Sequence, residues 1–428
     1  MNQGTFVTQF CADPLLSILI PTKDRYDTLM EVIGEIAKHI DDNRLEIVVC
    51  DNSAVPDDQR VKQLIKLDIR ISYYHSDDDL PIVDNTEKGI AHCRGRYICF
   101  IGDDDLVSPH IMEVVDWLER EGGDCLIYPP ARYWWTSVVF AKESRFQKPG
   151  VFWLPRECAG TVRRHDSAAE LKSVLARGGV AYLNLPRLYH GIVSRHAIER
   201  IRSRFGRYVP GSSPDMALSM ALALTTTSYL SIDYPVTVFG ASRNSGGGLT
   251  AARKHYGRIE DQRMLPRDIL DNWDNRLPRV WSEQVIYPQT IHEITSRAGL
   301  KNELSYSTLY GSLITYEPHI IRPLLPILMK YIAEKPSRIV KLISKILLKG
   351  AGRARASARI RTGLGMPFER YVFSNIESVM TFLKELPAPA LTNLRSENET
   401  GKNDSSQRGQ VNVIEAHGAV ALGGKRRE

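Results

Sequence analysis

Several things are missing from this chain, and each absence removes a class of protein. No apolar run reaches the roughly 20 residues that span a bilayer; the nearest approach, around Leu324 to Ile332, is short and interrupted by Lys330. The first twenty residues hold no Lys or Arg, and Asp13 precedes the first apolar run, so no secretory leader is expected. Six cysteines (Cys11, Cys50, Cys93, Cys99, Cys125, Cys158) are widely spaced without a C-x-x-C pair. Cys50, Cys99 and Cys125 lie in or beside apolar runs, where cysteine acts as a small hydrophobe, and a reduced cytoplasmic protein is expected. Neither G-x-G-x-x-G nor G-x-x-x-x-G-K-[ST] occurs, which disfavours dinucleotide and P-loop phosphate binding. Between Lys335 and Glu369 there is no Asp or Glu among many Lys and Arg, a one-sided stretch suited to an anionic surface.

The 428 residues, 43% hydrophobic and 25% charged, are enough for a sizeable core and exclude wholesale disorder. The first part alternates strand and helix patterns. Strands are predicted at Leu15 to Ile20 (stopped by Pro21), Glu46 to Cys50, Ile69 to Tyr74, Tyr97 to Ile101 and Cys125 to Tyr128. Helices are predicted at Thr28 to Ile40, Gln59 to Lys66, Thr86 to His92 and Pro109 to Arg120. That alternation implies an α/β fold, a mostly parallel sheet flanked by helices, with ligands at the carboxyl ends of the strands. From 129 to 250 the pattern loosens, with helices near Asp166 to Ala176 and Pro214 to Leu224 and a strand at Pro235 to Phe239. Gly246-Gly247-Gly248 precedes no convincing phosphate-binding helix and reads as a mobile loop. Residues 251–386 read as a helical C-terminal region without sheet signal, and 387–428 as a disordered tail.

The segments after the strand ends are polar, and Asp103-Asp104-Asp105 stands out. Three adjacent carboxylates repel one another, and no fold requires them for stability. A hard divalent cation, Mg²⁺ or Mn²⁺, relieves the repulsion and can also hold phosphate oxygens. The plainer reading is a solvated loop whose carboxylates cap the following helix. Asp77-Asp78-Asp79, without a helix start behind it, reads as a solvated turn.

Residues 15–245 resemble a family 2 glycosyltransferase of the GT-A fold, the inverting type that builds bacterial surface polysaccharides. Ser17-Ile18-Leu19-Ile20-Pro21-Thr22-Lys23-Asp24-Arg25 is similar to the family's strand and "PTYNR" opening, and Asp51-Asn52-Ser53 to its "D-x-S". Asn85, Gly89 and Gly95-Arg96-Tyr97 match the approach to the DXD strand. Phe100-Ile101-Gly102-Asp103-Asp104-Asp105 with Pro109 matches "F-L-D-x-D-D-x-x-x-P". The resemblance implies a nucleotide-sugar site in which Thr22, Asp24 and Arg25 lie near base and ribose, and Asp51 with Ser53 holds the nucleoside. Because Gly102 replaces the family's first Asp, Asp103 and Asp105 are the expected metal contacts and Asp104 lies nearer the donor sugar.

Such an enzyme needs a carboxylate to take the acceptor's proton. In the family this is the Asp of an "E-D" pair. Here Ser213-Pro214-Asp215-Met216 stands at the corresponding place, so Asp215 is the expected base, with Pro214 replacing Glu. A free Asp, with pKa about 3.9, is ionised at neutral pH; its plainer role is to charge a helix start. Ile232-Asp233-Tyr234-Pro235 and Arg243-Asn244-Ser245 resemble the family's closing elements, and a guanidinium at Arg243 suits a diphosphate. Trp134, Trp135 and Trp153 suit sugar stacking or ordinary packing. From Arg338 to Leu348 the residues Ile339, Leu342, Ile343, Ile346 and Leu347 oppose Arg338, Lys341 and Lys345. This basic amphipathic helix, extended to 361, suits peripheral contact with the inner face of a membrane, where a lipid-linked or glycan acceptor would be met, or a solvated basic face. Nucleic acid is not an expected partner, since no aromatics interleave the charges. The rival readings are a non-catalytic scaffold with this fold and a sugar nucleotidyltransferase.

Overall fold

A computed structural model of the chain describes residues 5–7 and 13–391. The tail expected to be disordered lies, from residue 392 on, outside the described residues, as does Cys11. The elements of the first part are β1 (Leu16–Thr22), α1 (Tyr26–His39), β2 (Leu45–Asp51), α2 (Asp58–Leu67), β3 (Ile71–His75), α3 (Ile82–His92) and β4 (Tyr97–Phe100). A short β5 (Leu106–Val107), α4 (Ile111–Arg120) and β6 (Cys125–Ile127) follow. Next come β7 (Ala131–Trp134), β8 (Val151–Pro155), β9 (Val162–Asp166), α5 (Ser167–Ala176), β10 (Gly191–Ser194), α6 (Arg195–Phe205), α7 (Pro214–Thr225), β11 (Ser228–Ile232) and β12 (Thr237–Ala241).

The larger sheet has nine strands in the order Thr5–Val7, β3, β2, β1, β4, β10, β6, β11, β9. Strands β3, β2, β1 and β4 are mutually parallel, as the alternation predicts. The sequence did not betray β10, which inserts antiparallel between β4 and β6. The period-two alternation of strands divides the core. Leu16, Ile18 and Ile20 face α1, α2 and α4 on one side, whereas Leu19, Val48 and Cys50 face α3, α6 and α7 on the other. Both layers are apolar, so the strands read as continuous hydrophobic runs. A Cβ at Gly89 would lie 2.6 Å from Leu19 Cδ1, so a larger residue would make Leu19 shift where α3 crosses β1. The predicted stop at Pro21 falls two residues early. β1 runs on to Thr22 beside β2, because β4 pairs only as far as Leu19 and makes no demand on the missing proline N–H.

A second, five-stranded sheet runs in the order β13, β8, β7, β12, β5, where β13 is Phe368–Val372. Here the C-terminal region departs from its helical expectation. It contains α8 (Gly246–Ala251), α9 (Glu283–Arg297), α10 (Tyr306–Tyr316), α11 (Ile321–Glu334), α12 (Arg338–Thr362) and α13 (Ile376–Glu385), but also β13, which pairs antiparallel with β8. Its Phe-Glu-Arg-Tyr-Val pattern is hard to recognise because an edge strand keeps charged residues, and what fixes it is Phe368 stacking on Trp153. The three glycines after Ser245 open α8 rather than a free loop, with the Ser245 hydroxyl accepting from Gly248 N–H at 3.2 Å. Helices α9 and α10 pack into the α7 side of the core, while α13 crosses to α1 on the other. No described helix is long and apolar enough to cross a membrane.

Candidate active site

The carboxyl ends of β1 and β4 meet at the aspartate triplet, and the three side chains go three ways. Asp103 is fully buried, its Oδ2 accepting from the Thr22 hydroxyl at 2.5 Å and its Oδ1 pairing with Arg25 Nη2 at 2.8 Å. Asp105 is also fully buried. Its Oδ1 accepts from Gly240 N–H at 2.7 Å, and its Oδ2 accepts from Gly102 N–H at 2.6 Å and Tyr189 OH at 3.1 Å and lies 3.1 Å from His190 Nε2. Asp104 alone lines the cleft, with Oδ2 accepting from Ser242 N–H at 2.7 Å. Its carbonyl accepts from Trp135 Nε1 at 2.8 Å, so Trp135 braces the loop rather than waiting for a sugar. A Cβ on Gly240 would stand 1.6 Å from that same carbonyl, so β12 approaches the triplet as only glycine can.

Burial leaves these charges poorly compensated. It raises Asp103 to about 7 despite the neighbouring Arg25 and raises Asp104 as well, while at Asp105 burial is offset by His190 together with the Gly102 and Gly240 N–H groups, which hold that carboxyl low. The metal contacts expected at Asp103 and Asp105 are therefore already engaged in holding the loop. Among the described residues no three His, Cys, Asp or Glu converge into a ready cage. Of the triplet, Asp104 lines the cleft and would be the carboxylate to hold a divalent cation there, a single-carboxylate mode that Mg²⁺ commonly accepts.

The other expected donor-site residues divide in the same way. Asp24, at φ 56°, and Arg25 line the cleft, and the Asp24 N–H donates to Ser53 Oγ at 2.8 Å. Thr22 supports Asp103 from beneath. Asp51 is fully buried and saturated: Tyr26 OH and Tyr73 OH donate to Oδ2, while Ser53 N–H and Ser53 OH donate to Oδ1 at 2.7 and 2.6 Å. Neither Asp51 nor Ser53 is among the residues that line the cleft, and the bonds of Asp51 tie the β2 end to Tyr26 of α1 and Tyr73 of β3. Arg243 is exposed, its Nε donating to the Ser137 carbonyl at 3.3 Å, while its neighbours Asn244 and Ser245 reach the cleft. Asp77 stays on the surface as read, and Asp79 pairs with Lys23 at 2.5 Å.

The cleft is large, about 1720 Å³, beyond the roughly 300 to 1000 Å³ of an ordinary small-molecule site. Asp215 lies in it at the first turn of α7, which Pro214 opens and which Ser213 N–H anchors to Thr290 on α9. Tyr287 OH donates to Asp215 Oδ2 at 3.4 Å. Burial, then the like charge of Glu283, raise the Asp215 carboxyl to about 7, against the ionised state expected of a free Asp. Glu283, itself raised by burial and opposed by Arg132, was not found from the sequence. Its only signal is a Ser282-Glu283 helix start. It places a second carboxylate, from the start of α9, close enough to Asp215 for the two charges to oppose each other. Arg132, Tyr182, Tyr189 and Tyr287 also line the cleft and were equally invisible, arriving from β7, a loop and α9. Of the tryptophans, Trp134 reaches the cleft, whereas Trp153 is buried against Phe368.

Residues 17–166 match the model of glycosyl transferase family 2. An uncharacterized glycosyltransferase of Rickettsia conorii is 28% identical over 111 residues, 26% of this chain and 18% of the relative. One from Rickettsia bellii is 26% identical over 106 residues, 25% of this chain and 15% of the relative. The chain thus spans less than a fifth of the length of the curated relatives it matches. Among solved structures, S. aureus TarS 1-349 in complex with UDP-GlcNAc aligns over 87% of this chain and 90% of that one, with TM-score 0.43 and 12% identity. Residues 17–166 of the chain thus form a domain that matches glycosyl transferase family 2.

Proposed function

We propose that the chain is an inverting glycosyltransferase that moves a sugar from a nucleotide-diphosphate donor to a hydroxyl of a glycan or lipid-linked acceptor in bacterial polysaccharide assembly. Uridine is the base the family resemblance favours. The observation that carries the reading is that Asp104 and Asp215, on separate elements, line one cleft with room for two substrates.

Asp104 and Arg25 bind the diphosphate end of the donor at the mouth of β1 and β4. Mg²⁺ or Mn²⁺, when bound at Asp104, supplies positive charge to the departing diphosphate. Asp103 and Asp105 hold the loop in place through Thr22, Gly240 and Tyr189. Asp215 takes the proton of the acceptor hydroxyl as that oxygen bonds the anomeric carbon and the bond from carbon to the diphosphate oxygen breaks. A carboxyl near 7 suits this task better than one near 4, since a base poised at the working pH is both available and strong enough to accept the proton. Tyr287 orients it through the bond to Oδ2.

The test is a screen of nucleotide sugars for metal-dependent hydrolysis, with calorimetry of UDP and Mn²⁺ on the parent and on Asp104→Asn. Loss of binding in the variant supports the reading, and equal binding overturns it. Tight nucleotide binding with no hydrolysis or transfer for any donor would favour the non-catalytic scaffold.

A further inference from the structure

Helices α11 and α12 carry an apolar surface that no described part of the chain covers. On α11, Ile321, Leu325 and Met329 recur every fourth residue, so they share one face; Leu325 and Met329 are 52% and 68% exposed. On α12, Val340, Leu347 and Leu348 are 68%, 67% and 67% exposed, and Ile339 and Ile343 are exposed as well. The inward work is done by other residues: Leu324, Leu328 and Leu342 are buried, with Ile346 partly so. The amphipathic pattern in the sequence would be satisfied by a helix packed on the domain. This helix pair packs on α10 and still leaves a second apolar face in water. Exposed apolar patches rimmed by charge mark binding surfaces.

The charge around that face is predominantly positive: the acid carried by α11 and α12, Glu334 at the end of α11, is paired with Arg338 at 2.7 Å. From Lys335 to Phe368 there are nine Lys and Arg and no Asp or Glu. Lys341, Arg355, Arg359 and Arg361 stand exposed among them. We propose that the α11–α12 face docks on an anionic lipid surface. Its exposed leucines, isoleucines, valine and methionine would enter the boundary between headgroups and acyl chains, and the Lys and Arg would meet lipid phosphates. A second copy of the chain is a poorer occupant, because a two-fold interface would set these like charges against each other. A nucleic acid would answer the charges but leave the apolar side chains in water.

Docking also bears on the cleft. Lys349, one residue beyond Leu348 on α12, lines it, as do Tyr316 and His319 just before α11. The docked face therefore adjoins one end of the cleft, and a lipid-borne acceptor could enter there. This last point rests on the proposed transfer; the docking does not.

The experiment is sedimentation of the full chain with vesicles of phosphatidylcholine alone and with about a quarter phosphatidylglycerol. Binding is expected only with the anionic lipid and should weaken with salt. Leu347→Asp with Leu348→Asp, and separately Lys341→Glu with Arg355→Glu and Arg359→Glu, should each reduce binding by about tenfold or more. Circular dichroism checks that both variants keep the parent's helix content. Undiminished binding by both variants, equal binding to the two vesicle types, or no binding by the parent overturns the proposal. A parent dimer that the leucine variant dissociates assigns the face to a second copy instead. Vesicle binding by a chain that fails to bind UDP with Mn²⁺ sinks the transfer reading and leaves the docking intact.

Discussion

Replacing Asp215 by Asn probes the base without knowledge of either substrate. Burial and Glu283 lift this carboxyl from 3.8 to about 7 in the folded protein. At 1.36 kcal/mol per pH unit, keeping it ionised at alkaline pH costs the fold at most about 4 kcal/mol, less where water fills the cleft. A carboxyl whose folded pKa lies above its unfolded value binds its proton more tightly in the native state. Its contribution to stability is therefore greatest below the unfolded pKa, falls as pH rises from about 4 to about 7, and is level above that. The Asn variant never ionises and escapes the loss. Between pH 5 and pH 8 it should gain on the parent by at most about 3 kcal/mol, read from urea denaturation at the two values. Transfer or donor hydrolysis should meanwhile fall roughly a hundred- to ten-thousand-fold, the usual contribution of a general base. A stability difference that is the same at both pH values would show that Asp215 is not held near neutral, and the argument for a poised base would go with it.

Other perturbations separate the roles assigned above. Glu283→Gln removes the like charge beside Asp215, so the acid limb of the pH–activity profile should move to lower pH. Arg25→Met leaves Asp103 buried without its cation and should cost about 3 kcal/mol or more in denaturation. Gly240→Ala drives a methyl into the Asp104 carbonyl and should lower both the melting temperature and UDP affinity. Asp51→Asn disturbs the bonds from Tyr26, Tyr73 and Ser53, so it should lower the melting temperature by a few degrees, while calorimetric UDP affinity in the surviving folded protein changes less than in Asp104→Asn.

The chain's own pattern settled the strand and helix alternation to Tyr128 and the family resemblance. Local signals suffice there: apolar runs of the right period, Gly89 where α3 crosses β1, and acidic residues directly behind a strand. The same signals placed Asp215 at a helix start, which the cleft confirms as a position and not as a role. Tertiary structure decided what local pattern cannot hold. Which of three adjacent aspartates faces the cleft depends on partners 81 to 138 residues away, Thr22, Gly240 and Ser242. Whether Asp51 meets a ligand depends on two tyrosines from other elements. The proximity of Glu283 to Asp215, the return of β13 to β8, and the uncovered face of α12 are likewise products of packing between segments far apart in sequence. Spacing along a chain fixes which residues share a face of one element; the charge, burial and company of a side chain are set by every element that packs against it.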